Sequence, residues 1–198
     1  MTTRRTPLLV LAVATVLLLV GTPAGAAEPE VHHDGTYWDW DAPANFVGSE
    51  GAYGITITGP NGATLSTAFS TSVCANGSTY NDRVTNYFAA KRRQLRLSGY
   101  TLSNVSAIAR PTGTPQKYRR QRMDFTVRNG SVTKKGELTF DYRFSAAVTG
   151  VSYCDARDLV ILSNQSKFAT LRPTLVSINN SLEYFGPGPC TPAPSTPC

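Results

Sequence analysis

The stretch KYRRQRMDFTVRNGSVTKKGELTFDYRF, Lys117 to Phe144, decides how the chain folds. On its first arm Met123, Phe125 and Val127 alternate with Arg122, Asp124 and Thr126. On its second arm Leu138, Phe140, Tyr142 and Phe144 alternate with Thr139, Asp141 and Arg143. A period of two marks a strand with one dry and one wet face, because successive side chains leave a sheet on opposite sides. Asn129-Gly130 between the arms most readily supplies the two positive φ angles of a type I′ turn, so the stretch reads as a β-hairpin.

Downstream, Gly150 introduces a further strand, Val151 to Ser163, in which Leu159-Val160-Ile161-Leu162 is apolar at every position and therefore buried on both faces. Phe168, Leu171, Leu175, Ile178 and Leu182 then recur at helical steps and form one apolar stripe. Pro173 has no N–H and suits only a first turn, which predicts a regular helix starting near Thr170 or Arg172 and ending before Gly186-Pro187. Upstream, Tyr53 to Thr58 and Thr64 to Val73 flank Gly59-Pro60-Asn61-Gly62 and read as a second hairpin. A helix follows, capped by Ser78 or Thr79, with Val84, Tyr87, Phe88 and Leu95 near one face and Ser98-Gly99 as its stop. Tyr100, Leu102, Val105 and Ile108 suggest another strand ending at Arg110-Pro111. The fold class is α+β, an antiparallel sheet of about five to six strands packed against two main helices.

The first residues set the compartment. Arg4 and Arg5 precede an apolar run from Leu8 to Val20, and Ala24-Gly25-Ala26 supplies a small-residue cleavage site. That run is shorter than the roughly 20 residues a membrane-spanning helix needs. The expected organisation is a signal peptide over residues 1–26, an acidic aromatic segment over 27–52, one α+β domain over 53–186 and a Pro-rich tail over 187–198. The mature chain is expected outside the cytoplasm, without a transmembrane segment. Its four cysteines then favour pairing: spacing suggests Cys190 with Cys198, leaving Cys74 with Cys154. No C-x-x-C pair is present, and the chain's two histidines, His32 and His33, are adjacent, so neither a zinc site nor another cofactor is expected.

Charge is divided along the chain. Residues 27–82 hold seven acids and no Lys or Arg, whereas residues 83–198 hold 17 bases and six acids. The acidic segment either covers the basic part or leaves it open to an anionic partner. Candidate binding residues are Lys91, Arg92 and Arg96 on the helix, Tyr118, Arg120, Arg122 and Arg143 on the hairpin, and Trp38 and Trp40 in Tyr37-Trp38-Asp39-Trp40-Asp41. The tryptophans either stack on a sugar or peg the N-terminal segment to an apolar groove. The arginines suit an anionic wall polymer or lipid head group through charge contacts, and another exported protein is a third kind of partner. Nucleic acid is disfavoured, since Tyr118 alone interleaves an aromatic ring with the bases. No catalytic residue is assigned. A small hydrolase would need paired carboxylates, with Asp124, Asp141, Asp155 and Asp158 as the candidates, against their simpler reading as surface ion pairs.

The order of elements and the helix pattern Leu171-Arg-Pro-Thr-Leu-Val-Ser-Ile-Asn-Asn-Ser-Leu182 resemble the PsbP-like α+β sandwich, in particular the LpqN-type exported proteins of actinobacteria. The resemblance covers roughly residues 53 to 185 and implies a binding or accessory protein without a shared catalytic set. The chain departs from LpqN-type lipoproteins in lacking a cysteine at the cleavage site, and its cysteines and proline tail are additions to the pattern. The resulting expectation is a secreted, non-enzymatic binding module that recognises an anionic surface component.

Overall fold

The computed structural model describes residues 30–73, 80–114, 117–148 and 151–186. The export segment, Cys74, Cys190, Cys198 and the Pro-rich tail lie outside the described residues. The chain runs through β1 (Glu30–His33), β2 (Trp38–Pro43), β3 (Val47–Gly51), β4 (Gly54–Thr58), β5 (Thr64–Val73), α1 (Tyr80–Leu97) and β6 (Tyr100–Ser103). It continues with β7 (Tyr118–Asn129), β8 (Val132–Val148), β9 (Val151–Asn164), α2 (Phe168–Ser181) and β10 (Glu183–Tyr184). The main sheet has the order β3-β4-β5-β9-β8-β7-β6 with antiparallel pairing throughout, and β1-β2-β10 form a small second sheet.

The alternation in the long hairpin places Met123, Phe125, Leu138, Phe140 and Tyr142 on one side of the main sheet, where Val84 and Phe88 of α1 cover them. On the opposite side, and toward the other end, Ile55, Ile57, Leu65 and Ile161 meet Leu175 and Ile178 of α2 together with Trp38, Trp40 and Ala42 of β2. The two helices therefore cover opposite faces of one sheet. Strand β9 serves both layers: Ile161 and Leu159 pack into the α2 core, Val160 and Leu162 into the α1 core. That arrangement is the physical meaning of its uninterrupted apolar run.

Several elements differ from the sequence reading. Residues 30–51 form three strands, which raises the strand count, and in β2 buried Trp38, Trp40 and Ala42 alternate with half-buried Asp39, Asp41 and Pro43. In the hairpin, Asn129 pairs with Val132 and only Gly130 has positive φ. The loop is thus Gly130-Ser131 with Gly in first place, the position a type II′ turn reserves for it, rather than the expected Asn-Gly type I′ turn. Strand β6 stops at Ser103 because Asn104 turns the backbone to φ +48, so Val105 and Ile108 fall beyond it. Helix α2 begins at Phe168 and carries Pro173 inside, where its ring is exposed and the lost backbone bond costs least. Among the described residues, no helix is long and apolar enough to cross a membrane.

Candidate functional site

Because α2 and the small sheet cover only one end of their side of the main sheet, the wet face of the β7–β8 hairpin stays open there. Strand register aligns side chains across it in rows. One row runs Arg120, Asp141, Arg157, Phe69 over β7, β8, β9 and β5, and the next runs Tyr118, Arg143, Asp155 over β7, β8 and β9. Tyr184 of β10 closes the end beside Phe69. These residues line a cavity of about 300 Å³, at the small end of ligand-binding sites.

The first row contains two guanidinium groups and one carboxylate. Arg120 takes that carboxylate with both arms: Nε donates to Asp141 Oδ1 at 2.5 Å and Nη2 to Oδ2 at 2.8 Å. Nη2 also donates to the Tyr118 hydroxyl at 3.0 Å. Asp141 is nearly buried, with a side chain 9% exposed, so a bidentate partner is what makes its charge tolerable. The hydrogen bond to Asp141 holds the Arg120 pKa above its ordinary value, against desolvation. Burial, followed by Asp141, pushes the Tyr118 phenol up to about 12.

Arg157 is left differently. Its one hydrogen bond within the described residues runs from Nε to Thr67 Oγ1 at 3.0 Å, and its guanidinium lies 5.4 Å from the centre of the Phe69 ring. Burial lowers its pKa, opposed by the more distant Asp141. Its terminal amino groups have no hydrogen-bond partner among the described residues. Arg143 stands exposed at the rim of the same cavity, with no hydrogen bond or ion pair among the described residues. The aromatic wall is fixed: Trp38 stacks on Phe69 at 5.6 Å, and Tyr184 packs 4.6 Å from Trp38 and 5.2 Å from Phe69. The Tyr184 hydroxyl donates to Ala52 O at 2.7 Å and secures the ring.

The structure divides the residues singled out from sequence. Tyr118, Arg120 and Arg143 converge on the cavity, and Arg122 is exposed on the same sheet face. Lys91, Arg92 and Arg96 belong to α1 on the opposite side of the sheet. Lys91 is paired with Asp158 at 2.5 Å, Arg92 donates to Gln121 Oε1 at 2.5 Å, and Arg96 points to solvent. Helix and hairpin bases therefore share no surface. Trp38 and Trp40 are 1% and 6% exposed and form part of the core. Trp40 stacks on His33 at 5.0 Å, and the Trp38 indole N–H donates to Gly51 O at 3.3 Å.

The acidic segment acts on itself. Glu50 accepts the backbone N–H groups of Thr36, Tyr37 and Trp38 at 2.6 to 3.1 Å, and Asp41 meets His32 Nδ1 at 2.7 Å. Of the four candidate carboxylates, Asp158 and Asp141 are held by Lys91 and Arg120, and Asp124 accepts from Asn104 at 2.6 Å. Asp124 sits opposite Glu137, four residues along β8 from Asp141, and Asp155 and Asp158 point to opposite faces of β9. Phe69, Arg157 and Tyr184 were not among the candidates read from sequence. The missing signal was the register that puts Arg157 opposite Asp141 and Phe69, which a single sequence does not display.

No protein-family model matches the chain, and no curated protein matches it. Among solved structures the chain is similar to LpqN of Mycobacterium tuberculosis, described as involved in cell envelope biogenesis, with 13% identity and a TM-score of 0.44. That match covers 78% of this chain and 88% of the other. The chain is also similar to cyanobacterial PsbP (CyanoP) of Synechocystis, with 10% identity and a TM-score of 0.41 over 84% of this chain and 99% of the other.

Proposed function

We propose that the chain is an exported accessory protein that binds an anionic component of the cell surface, with the cavity of Arg143 and Arg157 as its contact. The observation that carries this reading is Arg157: a desolvated guanidinium whose neighbouring carboxylate is already taken by Arg120. Holding such a cation partly away from water without a carboxylate in contact is costly, and a bound anion removes the cost. Perturbed ionisable groups in a cavity are where binding sites concentrate. The open sheet face lets the partner reach Arg143 first, and Arg122 adds positive charge farther along the same face.

The α1 bases contribute little to this contact, because Lys91 and Arg92 are engaged with Asp158 and Gln121 on the other face. A hydrolase based on paired carboxylates is disfavoured for a related reason: Asp141 and Asp158 are each neutralised by a cation in contact. The test is sedimentation of the mature protein with anionic vesicles at low and high salt. Binding should weaken as salt rises, since exposed charge contacts are screened, and the Arg143→Gln, Arg157→Gln double variant should bind about tenfold more weakly than the parent. Association that survives both changes would refute the reading.

A further inference from the structure

Resting on the reading above, we propose that the group received by the cavity is a single carboxylate carried on an apolar body, as in a fatty or aromatic acid. Three properties of the lining point the same way. The first is charge. Arg120 and Asp141 cancel as a bidentate pair, so Arg143 and Arg157 face only Asp155, and the lining is left with one net positive charge. A monoanion balances it, whereas a dianionic phosphate monoester would overshoot beside Asp141 and Asp155.

The second is shape. Thr67 occupies Nε of Arg157 and leaves the two terminal amino groups as a planar fork. Planar carboxylates match that fork with two parallel hydrogen bonds. The third is the polarity of the walls. The Tyr118 hydroxyl accepts from Arg120 and the Tyr184 hydroxyl is bonded to Ala52, so both wall tyrosines have bonded hydroxyls and present ring carbon, as Phe69 does. A sugar entering there would exchange water for carbon at most of its hydroxyls, which is unfavourable. An alkyl chain or flat ring loses nothing polar and gains aromatic contact.

The experiment is calorimetric titration of the unaltered mature protein with three probes: octanoate, octanol and inorganic phosphate. Octanoate should bind saturably, and the other two at least about tenfold more weakly, because each lacks either the charge or the apolar body. Arg157→Gln should cost octanoate about tenfold, Arg157→Lys less, and Arg96→Gln nothing, with dispersed amide spectra confirming that each variant is folded. Equal binding of octanol and octanoate would overturn the carboxylate assignment. Tighter binding of phosphate, lost in Arg157→Gln, would overturn the apolar carboxylate while leaving anion recognition standing. Absence of saturable binding by any probe to folded protein would remove both.

Discussion

At Arg157 and Asp141 the same row of the sheet sets two opposite stability effects. Arg157 lacks a carboxylate of its own, so replacing it with an apolar side chain of similar length removes a desolvation cost and keeps packing against Phe69. Arg157→Met is expected to raise unfolding stability by about 1 kcal/mol while weakening anion binding about tenfold, the usual exchange between function and stability. Asp141→Asn should lower stability by about 2 to 3 kcal/mol, because it leaves Arg120 and Arg157 facing each other without the intervening charge. Urea denaturation of both variants measures the pair, and a destabilised Arg157→Met would show that its guanidinium is structurally satisfied. Glu50 provides the pH dependence. Burial raises its pKa, but the three backbone N–H donors outweigh that and hold it below the usual carboxylate range. A depressed folded pKa contributes stability that is present above the unfolded value near 4.3 and lost as pH falls through the folded value. Glu50→Gln should therefore cost about 1 kcal/mol at neutral pH and nothing at strongly acidic pH, compared in parallel denaturant titrations.

Among the elements, what could be read in advance was whatever announced itself by periodicity. The β7 and β8 arms, the doubly buried half of β9 and the apolar stripe of α2 all appear where their spacing placed them. Strand β2 carries the same period of two, Trp38, Trp40 and Ala42 against Asp39 and Asp41, but over only six residues and beside two tryptophans that equally suit a sugar-stacking or pegging segment; its burial beneath α2 decides for the strand. The cavity was half legible: alternation put Arg120 and Arg122 on one face, of which Arg120 lines the cavity, but joining Arg157 and Phe69 to it needed strand register. The turn missed its type for a local reason, since one more residue of pairing brings Asn129 opposite Val132 and shifts the loop onto Gly130. Within β8, Gly136 lies opposite Phe125, and a Cβ there would come within 2.3 Å of Ile161 O and 2.6 Å of the Phe125 ring. Gly136→Ala is expected to destabilise the fold by about 2 kcal/mol through overpacking, read from the thermal midpoint. Gly130→Ala should cost about 1 kcal/mol through its positive φ alone, because nothing lies within 4 Å of the added carbon.

Over the whole molecule, one sheet separates two populations of positive charge. On the α1 side Lys91 is held by Asp158 and lies over the Tyr87 and Phe140 rings, Arg92 donates to Gln121, and Arg96 points to solvent with no cavity beneath it that the hairpin bases share. On the opposite side Arg157 lines an aromatic hollow with Arg143 exposed at its rim, and Arg122 is exposed elsewhere on the same face. Buried Cys154 stands opposite Ser72 in register, two residues before Cys74 in sequence, which supports the proposed Cys74–Cys154 link. Such a link closes a loop worth about 4 kcal/mol in the chain-entropy model, and non-reducing peptide mapping should recover the two cysteines in one cross-linked fragment. Free thiols at both positions would exclude it. The most direct test of the anion site is a titration of isotope-labelled mature protein with acetate, followed through backbone amide and arginine side-chain resonances. Shifts should centre on Phe69, Arg143 and Arg157 and leave Lys91, Arg92 and Arg96 unmoved. Shifts centred on α1, or spread evenly over every basic residue, would contradict a built anion site on the open face of the sheet.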